Sequence, residues 1–138
     1  MEALKKIDQG DLISILIDFI DGADESLLSG LLEMTEELKD DKLVGVLVRF
    51  LESPNSEIVS KAVSALGEQR DTRATLPLIY ILRSSSQWFL RAEAAKALGK
   101  IRDGRALGSL QEASSDDNRW VSQRSSEALE LLQAGSNQ

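Results

Sequence analysis

The 138-residue sequence contains no histidine and no cysteine. The usual general base near neutral pH, the thiolate nucleophile and the common transition-metal ligands are therefore all missing, and no disulfide can form. Aromatic residues make up only 4% of the chain and proline occurs twice, so residues that favour pleated sheet or break helices are scarce. Long apolar runs are also lacking: Leu12 to Ile20 is interrupted by Asp18 and is too short to cross a bilayer. The opening Met1-Glu2-Ala3-Leu4-Lys5-Lys6 has neither the basic region nor the apolar stretch of a secretory signal, which predicts a cytoplasmic protein. No glycine-rich phosphate loop occurs, because the nine glycines are scattered at turns and helix ends.

Leu, Ala, Glu, Lys and Arg dominate what is present, and an apolar fraction of 42% is enough to bury a core. That balance predicts an all-α chain. Formal net charge is −7, and it is unevenly placed: residues 1–55 carry thirteen Asp/Glu against five Lys/Arg, whereas residues 56–138 carry ten against eleven. So acidic a first half would repel phosphate backbones and anionic lipid surfaces, which argues against nucleic-acid and membrane partners.

An internal period organises the chain. Ser64-Ala65-Leu66-Gly67 and Lys96-Ala97-Leu98-Gly99 lie 32 residues apart, and Glu127-Ala128-Leu129-Glu130 follows after 31. Each closes a helix whose apolar residues sit at helical spacing: Ile58, Ala62, Ala65 and Leu66; Leu90, Ala94, Ala97 and Leu98; Val121, Ser125, Ala128 and Leu129. Gly67 and Gly99 are placed to end those helices in the left-handed conformation. A second helix type starts at Asp41, Asp71 and Asp103, each placed as an N-cap, with Leu47, Leu78 and Leu110 as equivalent core positions. The adjacent carboxylates Asp40-Asp41 and Asp116-Asp117 also fall at caps and turns, where acidic residues are ordinary, so they are read as structural and not as acid–base pairs.

This rhythm predicts helices near residues 10–20, 24–39, 41–52, 55–67, 72–83, 86–100, 103–113 and 117–133, paired antiparallel through tight loops such as Ser53-Pro54-Asn55 and Ser84-Ser85-Ser86. Met1 to Gln9 adds a partial turn, and residues 134–138 are expected to fray. Hairpins of this size cannot bury their apolar faces alone, so they stack into one continuous core. Ser125 and Ser126, standing where the preceding copy has Ala94 and Ala95, suit a polar closing helix. The first helix, apolar nearly all round, is either buried under the N-terminal residues or exposed for a partner.

The stretch Leu90 to Leu107, with Arg91-Ala92-Glu93-Ala94-Ala95-Lys96-Ala97-Leu98-Gly99 and Asp103-Gly104-Arg105-Ala106, resembles the HEAT-like repeat named after phycobilisome lyases. Asp71 to Ile79 matches its other helix, including the internal Pro77. The resemblance covers residues 41–131 well and residues 1–40 only as a hairpin rhythm. It implies an all-α, short right-handed α-solenoid of about four hairpins: a single domain over residues 1–138, with a divergent hairpin at 1–40 and well-matched repeats over 41–133. Function follows less directly, since the repeat hosts many jobs. Family members include bilin lyase and isomerase subunits, phycobilisome assembly and turnover factors, a deoxyhypusine-modifying di-iron enzyme, DNA-alkylation repair proteins and adaptors. The di-iron enzyme holds metal with His-Glu pairs, which a chain without histidine cannot supply, and the repair proteins use a basic face that conflicts with the charge here.

The sequence thus reads as a non-catalytic, cofactor-free scaffold that binds another protein, with a bilin lyase or isomerase subunit or a phycobilisome factor as the rival. A homodimer through Leu12 to Ile20 is a further alternative. In the family the second helix of each hairpin lines the inner, concave side. Taking the Asp-started helices as that row sets Arg49, Tyr80 and Glu112 in line facing away from the core. Tyr80 either anchors a partner or packs across the ridge onto a neighbouring helix. Trp120 matches Phe89 in register and is expected to pack structurally, while Trp88, one residue out of register, is open to either role. Arg70, Arg73, Arg91, Arg102 and Arg105 are expected to pair with cap aspartates. Arg49 and Arg83, less easily assigned that way, are read as charged contacts to a partner.

Overall fold

A computed structural model describes residues 9–136, and the partial turn expected before Gln9 lies outside them. Eight α-helices follow one another among the described residues: α1 (Gln9–Gly22), α2 (Glu25–Met34), α3 (Asp41–Phe50), α4 (Ser56–Gln69), α5 (Thr75–Ser84), α6 (Trp88–Ile101), α7 (Leu107–Ala113) and α8 (Arg119–Ser136). Single 3₁₀ turns sit at Thr35–Glu37, Thr72–Ala74 and Gly104–Ala106. The last helix runs past Ala134, where fraying was expected. No described helix is long and apolar enough to cross a membrane.

Repeated cap chemistry starts these helices where they start. Asp24 accepts a hydrogen bond from the Leu27 N–H, Asn55 from Glu57 and Asn118 from Trp120, each satisfying a first-turn donor that has no partner inside its helix. Asp71 and Asp103 cap their turns as expected, accepting from the Arg73 and Arg105 N–H groups. In the earlier copy the cap is Asp40 and not Asp41. Asp40 has the extended backbone of a cap and accepts from the Lys42 N–H at 2.9 Å, while Asp41 is already helical and its carboxylate faces Arg73 at 3.4 Å.

Packing arranges the helices in two layers. Each hairpin pairs α1 with α2, α3 with α4, α5 with α6 and α7 with α8, and the hairpins stack so that α2, α4, α6 and α8 form one layer and the remaining four the other. The core between them is the one the periodicity predicts: Leu47, Leu78 and Leu110 are fully buried, as are Leu66, Ala62, Ala94 and Val121. Truncating any of those leucines to alanine removes about 2–5 kcal/mol by the usual cavity rule. Ser125 is also fully buried, like Ala94 in the same register position, whereas Ser126 is exposed where Ala95 is buried, so the polar closing face of α8 involves Ser126 and not Ser125.

The two layers are packed very differently. Contacts between α4 and α6 and between α6 and α8 are extensive, whereas α3 and α5 barely touch. Gly67 and Gly99 are the cause. Neither is left-handed: α4 and α6 continue two residues beyond them, and the left-handed positions are Arg70 (φ 56°) and Arg102 (φ 60°), whose N–H groups bond to the Leu66 and Leu98 carbonyls. A Cβ at Gly67 would lie 3.0 Å from both Cα and Cβ of Ala97, and one at Gly99 would lie 3.0 Å from the same atoms of Ala128. The missing side chains are what allow the backbones to approach. A stack bends toward its closer layer, so α2, α4, α6 and α8 line the inner side.

Arginines tie the wider outer layer together instead. Arg73 grips Asp71 at 2.7 Å and reaches back to the Asp41 carbonyl at 3.3 Å; Arg105 grips Asp103 at 2.7 Å and reaches the Thr72 carbonyl at 3.1 Å. Arg91 holds Asp116 through two bonds of 3.2 Å and the Ser85 carbonyl at 2.9 Å. On the inner side near the first hairpin, the Gln69 amide clamps the 35–40 connector through the Thr35 and Leu38 carbonyls and the Asp40 N–H.

Helix propensity alone says that replacing glycine by alanine in a helix gains about 1 kcal/mol. Gly45→Ala, at an exposed position in α3 with nothing within 4 Å of the new Cβ, should raise the thermal midpoint accordingly. Gly67→Ala and Gly99→Ala should lower it, because the atoms met are a facing helix backbone, and chemical denaturation of the three variants separates the two effects. Asp103, held down to about 2 from 3.8 chiefly by the Arg105 guanidinium, contributes stability that is present above pH 3.8 and lost as pH falls toward 2. An Asp103→Asn variant, which keeps a capping oxygen, should show a shallower loss over that acid window in pH-resolved thermal melts.

Candidate functional site

The inner surface is read most easily as rows crossing the helices. One row runs Ser29, Glu57, Phe89 and Trp120; the next runs Glu33, Lys61, Glu93 and Arg124. Neighbouring members bond directly at several points: Ser29 donates to Glu57, Lys61 pairs with Glu33, Ser64 donates to Glu36 at 2.8 Å, and Lys100 pairs with Glu68. Such exposed pairs add little stability individually. Their effect is to fix the side chains of the inner surface in place.

Between α6 and α8 this surface opens into a hollow of about 350 Å³, walled by Trp88, Phe89 and Ala92 from α6 and by Trp120 and Arg124 from α8, with Glu93 and Lys96 along one edge. Trp88 is 45% exposed and Trp120 50% exposed. Phe89 is half-buried and meets Trp88 edge-on with ring centroids 6.1 Å apart, while the Arg124 guanidinium lies 5.9 Å from the centre of the Trp120 ring. Arg124 also pairs with Glu127 at 3.0 Å.

Trp120 thus departs from the structural packing expected of it. Its register with Phe89 holds, and the residue after each aromatic goes to the core: Leu90 in α6, Val121 in α8. Phe89 is covered because α8 packs beside it. Among the described residues no helix lies beyond α8 to cover Trp120 in the same way. Trp88 and Trp120, expected to differ in exposure, instead wall the same hollow.

The other sequence candidates are exposed on the outer layer, and of them the structure brings Arg83 and Glu112 together. Arg49 on α3 pairs with Asp21 at 3.0 Å, and Arg83 on α5 faces Glu112 on α7 at 3.7 Å, so the two arginines that seemed to lack structural partners each have a carboxylate in the adjoining hairpin. Tyr80 is 72% exposed, which removes the reading that it packs across the ridge. Because the closer layer is the other one, the row Arg49, Tyr80 and Glu112 lies on the outer side and not the concave one. Sequence reasoning missed Phe89, Glu93, Lys96, Trp120 and Arg124 as a group. The signal was the 31-residue register that places Glu93 beside Arg124 and Phe89 beside Trp120.

Glu93 is half-buried at the edge of the hollow, one of its carboxylate oxygens has no hydrogen-bond partner, and burial pushes its pKa upward from 4.5. A raised folded-state pKa favours stability below 4.5 and withdraws it as pH rises through the folded value. Near neutral pH the ionised carboxylate therefore weighs against folding. Glu93→Gln should melt at a higher temperature than the parent at pH 7, with the gap closing below about pH 4.5; calorimetry across that range checks both the sign and the window.

Comparison with known proteins agrees with this architecture. The HEAT repeats family matches residues 44–130. No curated protein matches the sequence significantly. Among solved structures, human deoxyhypusine hydroxylase in complex with glycerol is similar, with a TM-score of 0.75 and 19% identity over 90% of this chain and 46% of that one. The chain spans about half the length of that structure, and at such identity the likeness is one of fold. With a family match over most of its length and four stacked helical hairpins behind it, the chain belongs to the HEAT-repeat family.

Proposed function

We propose that the chain is a non-catalytic cytoplasmic scaffold that holds a partner protein against the inner face of the solenoid. The observation that carries this reading is the pair of half-exposed tryptophans walling one hollow on the closely packed layer. Large aromatic and arginine side chains gathered around one hollow are the composition of binding hot spots, and a buried anchor of that kind contributes about 2 kcal/mol or more.

The second reading is a bilin lyase or isomerase subunit of the phycobilisome type. Arg124 and Lys96 beside aromatic walls favour it, because a tetrapyrrole presents an aromatic face and carboxylate tails.

Affinity capture from host lysate distinguishes the faces. With baits matched for helicity by circular dichroism, Trp88→Ala/Trp120→Ala should lose the captured partner while Arg49→Ala/Tyr80→Ala retains it. A loss of about 2 kcal/mol is roughly thirtyfold in affinity. The opposite pattern would move the site to the outer layer. A Trp-dependent absorbance change on adding a bilin, without any captured protein, would support the tetrapyrrole reading instead.

A further inference from the structure

The inner face is electrically graded from one end to the other. On α2, the 3₁₀ turn that follows it and α4 it carries Glu33, Glu36, Glu57 and Glu68 against the one cation Lys61 among the described residues of those elements. Across α6 and α8 it carries Lys96, Lys100 and Arg124 against Glu93 and Glu127, and Glu93 is the carboxylate whose ionisation burial disfavours. The aromatic residues follow the same direction, since the row that begins with Ser29 and Glu57 ends with Phe89 and Trp120. An acidic end and an aromatic, cationic end therefore share one continuous concave surface.

We propose that the segment held on this face is bipolar: lysines and arginines at the end lying over α2 and α4, and a large apolar residue flanked by carboxylates at the end seated between α6 and α8. This rests on the scaffold reading and specifies its partner. The apolar residue enters the hollow between Trp88 and Trp120, where it loses contact with water and gains two aromatic walls. Its neighbouring carboxylates meet Lys96 and Arg124. At the far end, the partner's cations face a row of glutamates that outnumber their local counter-ions. Reversing the segment would set its carboxylates against Glu33 and Glu36 and its cations against Arg124, so charge complementarity selects one direction of binding. Three inter-helix steps of about 8–10 Å separate α2 from α8, which a helical segment of roughly 20 residues spans.

Selection of random 20-residue peptides displayed on phage, with the full chain as target, tests the proposal. Enriched peptides are synthesised and titrated by fluorescence anisotropy against the parent, Trp88→Ala/Trp120→Ala and Glu33→Gln/Glu36→Gln, all checked for parental helicity. The expected sequences place Lys/Arg at one end and an apolar residue beside Asp/Glu at the other. They should bind Glu33→Gln/Glu36→Gln at least about threefold more weakly at low salt, with the difference shrinking at 0.5 M salt as screening sets in. Peptides that need the tryptophans yet lack a basic end, or bind the glutamine variant equally well, overturn the bipolar partner and leave the scaffold standing. If no enriched peptide depends on the tryptophans, both fall.

Discussion

The close approach of α4 to α6 and of α6 to α8 is the contact on which the rest of the molecule turns. It exists because two helical positions have no side chain and face alanines: Gly67 against Ala97, Gly99 against Ala128. Dispersion and apolar burial gain most where helix surfaces meet without a gap, and here the gap closes to backbone distance. Once that layer is drawn together, the outer helices must spread. Their spacing is then bridged by the long arginine side chains of Arg73 and Arg105, which a tighter packing would not accommodate.

Consequences for function follow from the same bend. Drawing α6 and α8 together brings Trp88 and Phe89 of one repeat and Trp120 of the next around one hollow. The outer layer, although it carries exposed Tyr80, Leu76 and Leu107, spreads its apolar groups across diverging helices. Glu93 weighs against folding near neutral pH: it lies at the edge of the hollow, half-buried, with an oxygen that finds no donor. Leu12, Ile15 and Phe19 form a further exposed apolar stripe on α1; Ile13, Leu16 and Ile20 on its other side are buried in the core.

Much of the fold was legible in the residue order. Helix number, pairing and core positions all come from 3.6-residue periodicity repeated about every 31 residues, and Leu47, Leu78 and Leu110 are buried as that pattern requires. Local chemistry was legible to within a residue: Asp71 and Asp103 cap as expected, but Asp40 displaces Asp41 because the choice depends on which of two adjacent carboxylates has the extended backbone. Gly67 and Gly99 were recognised as special for the wrong reason. A glycine near a helix end is ambiguous between a left-handed cap and a close approach, and only the facing alanines decide it.

The candidate site was less legible. Trp88 was singled out, yet its companions Trp120 and Arg124 are brought to it by the packing of α8 against α6, helices that lie 31 residues apart in sequence. Which layer is concave cannot be read from either helix alone, since curvature is a difference between two spacings. By itself, then, the sequence determined that the chain is helical, that it repeats, which residues are buried and which chemistries it lacks, because each of these depends on local periodicity or composition. Tertiary structure alone decided the direction of the bend and hence which exposed side chains face one another. Those depend on distances between separate helices, set by the two glycine–alanine contacts.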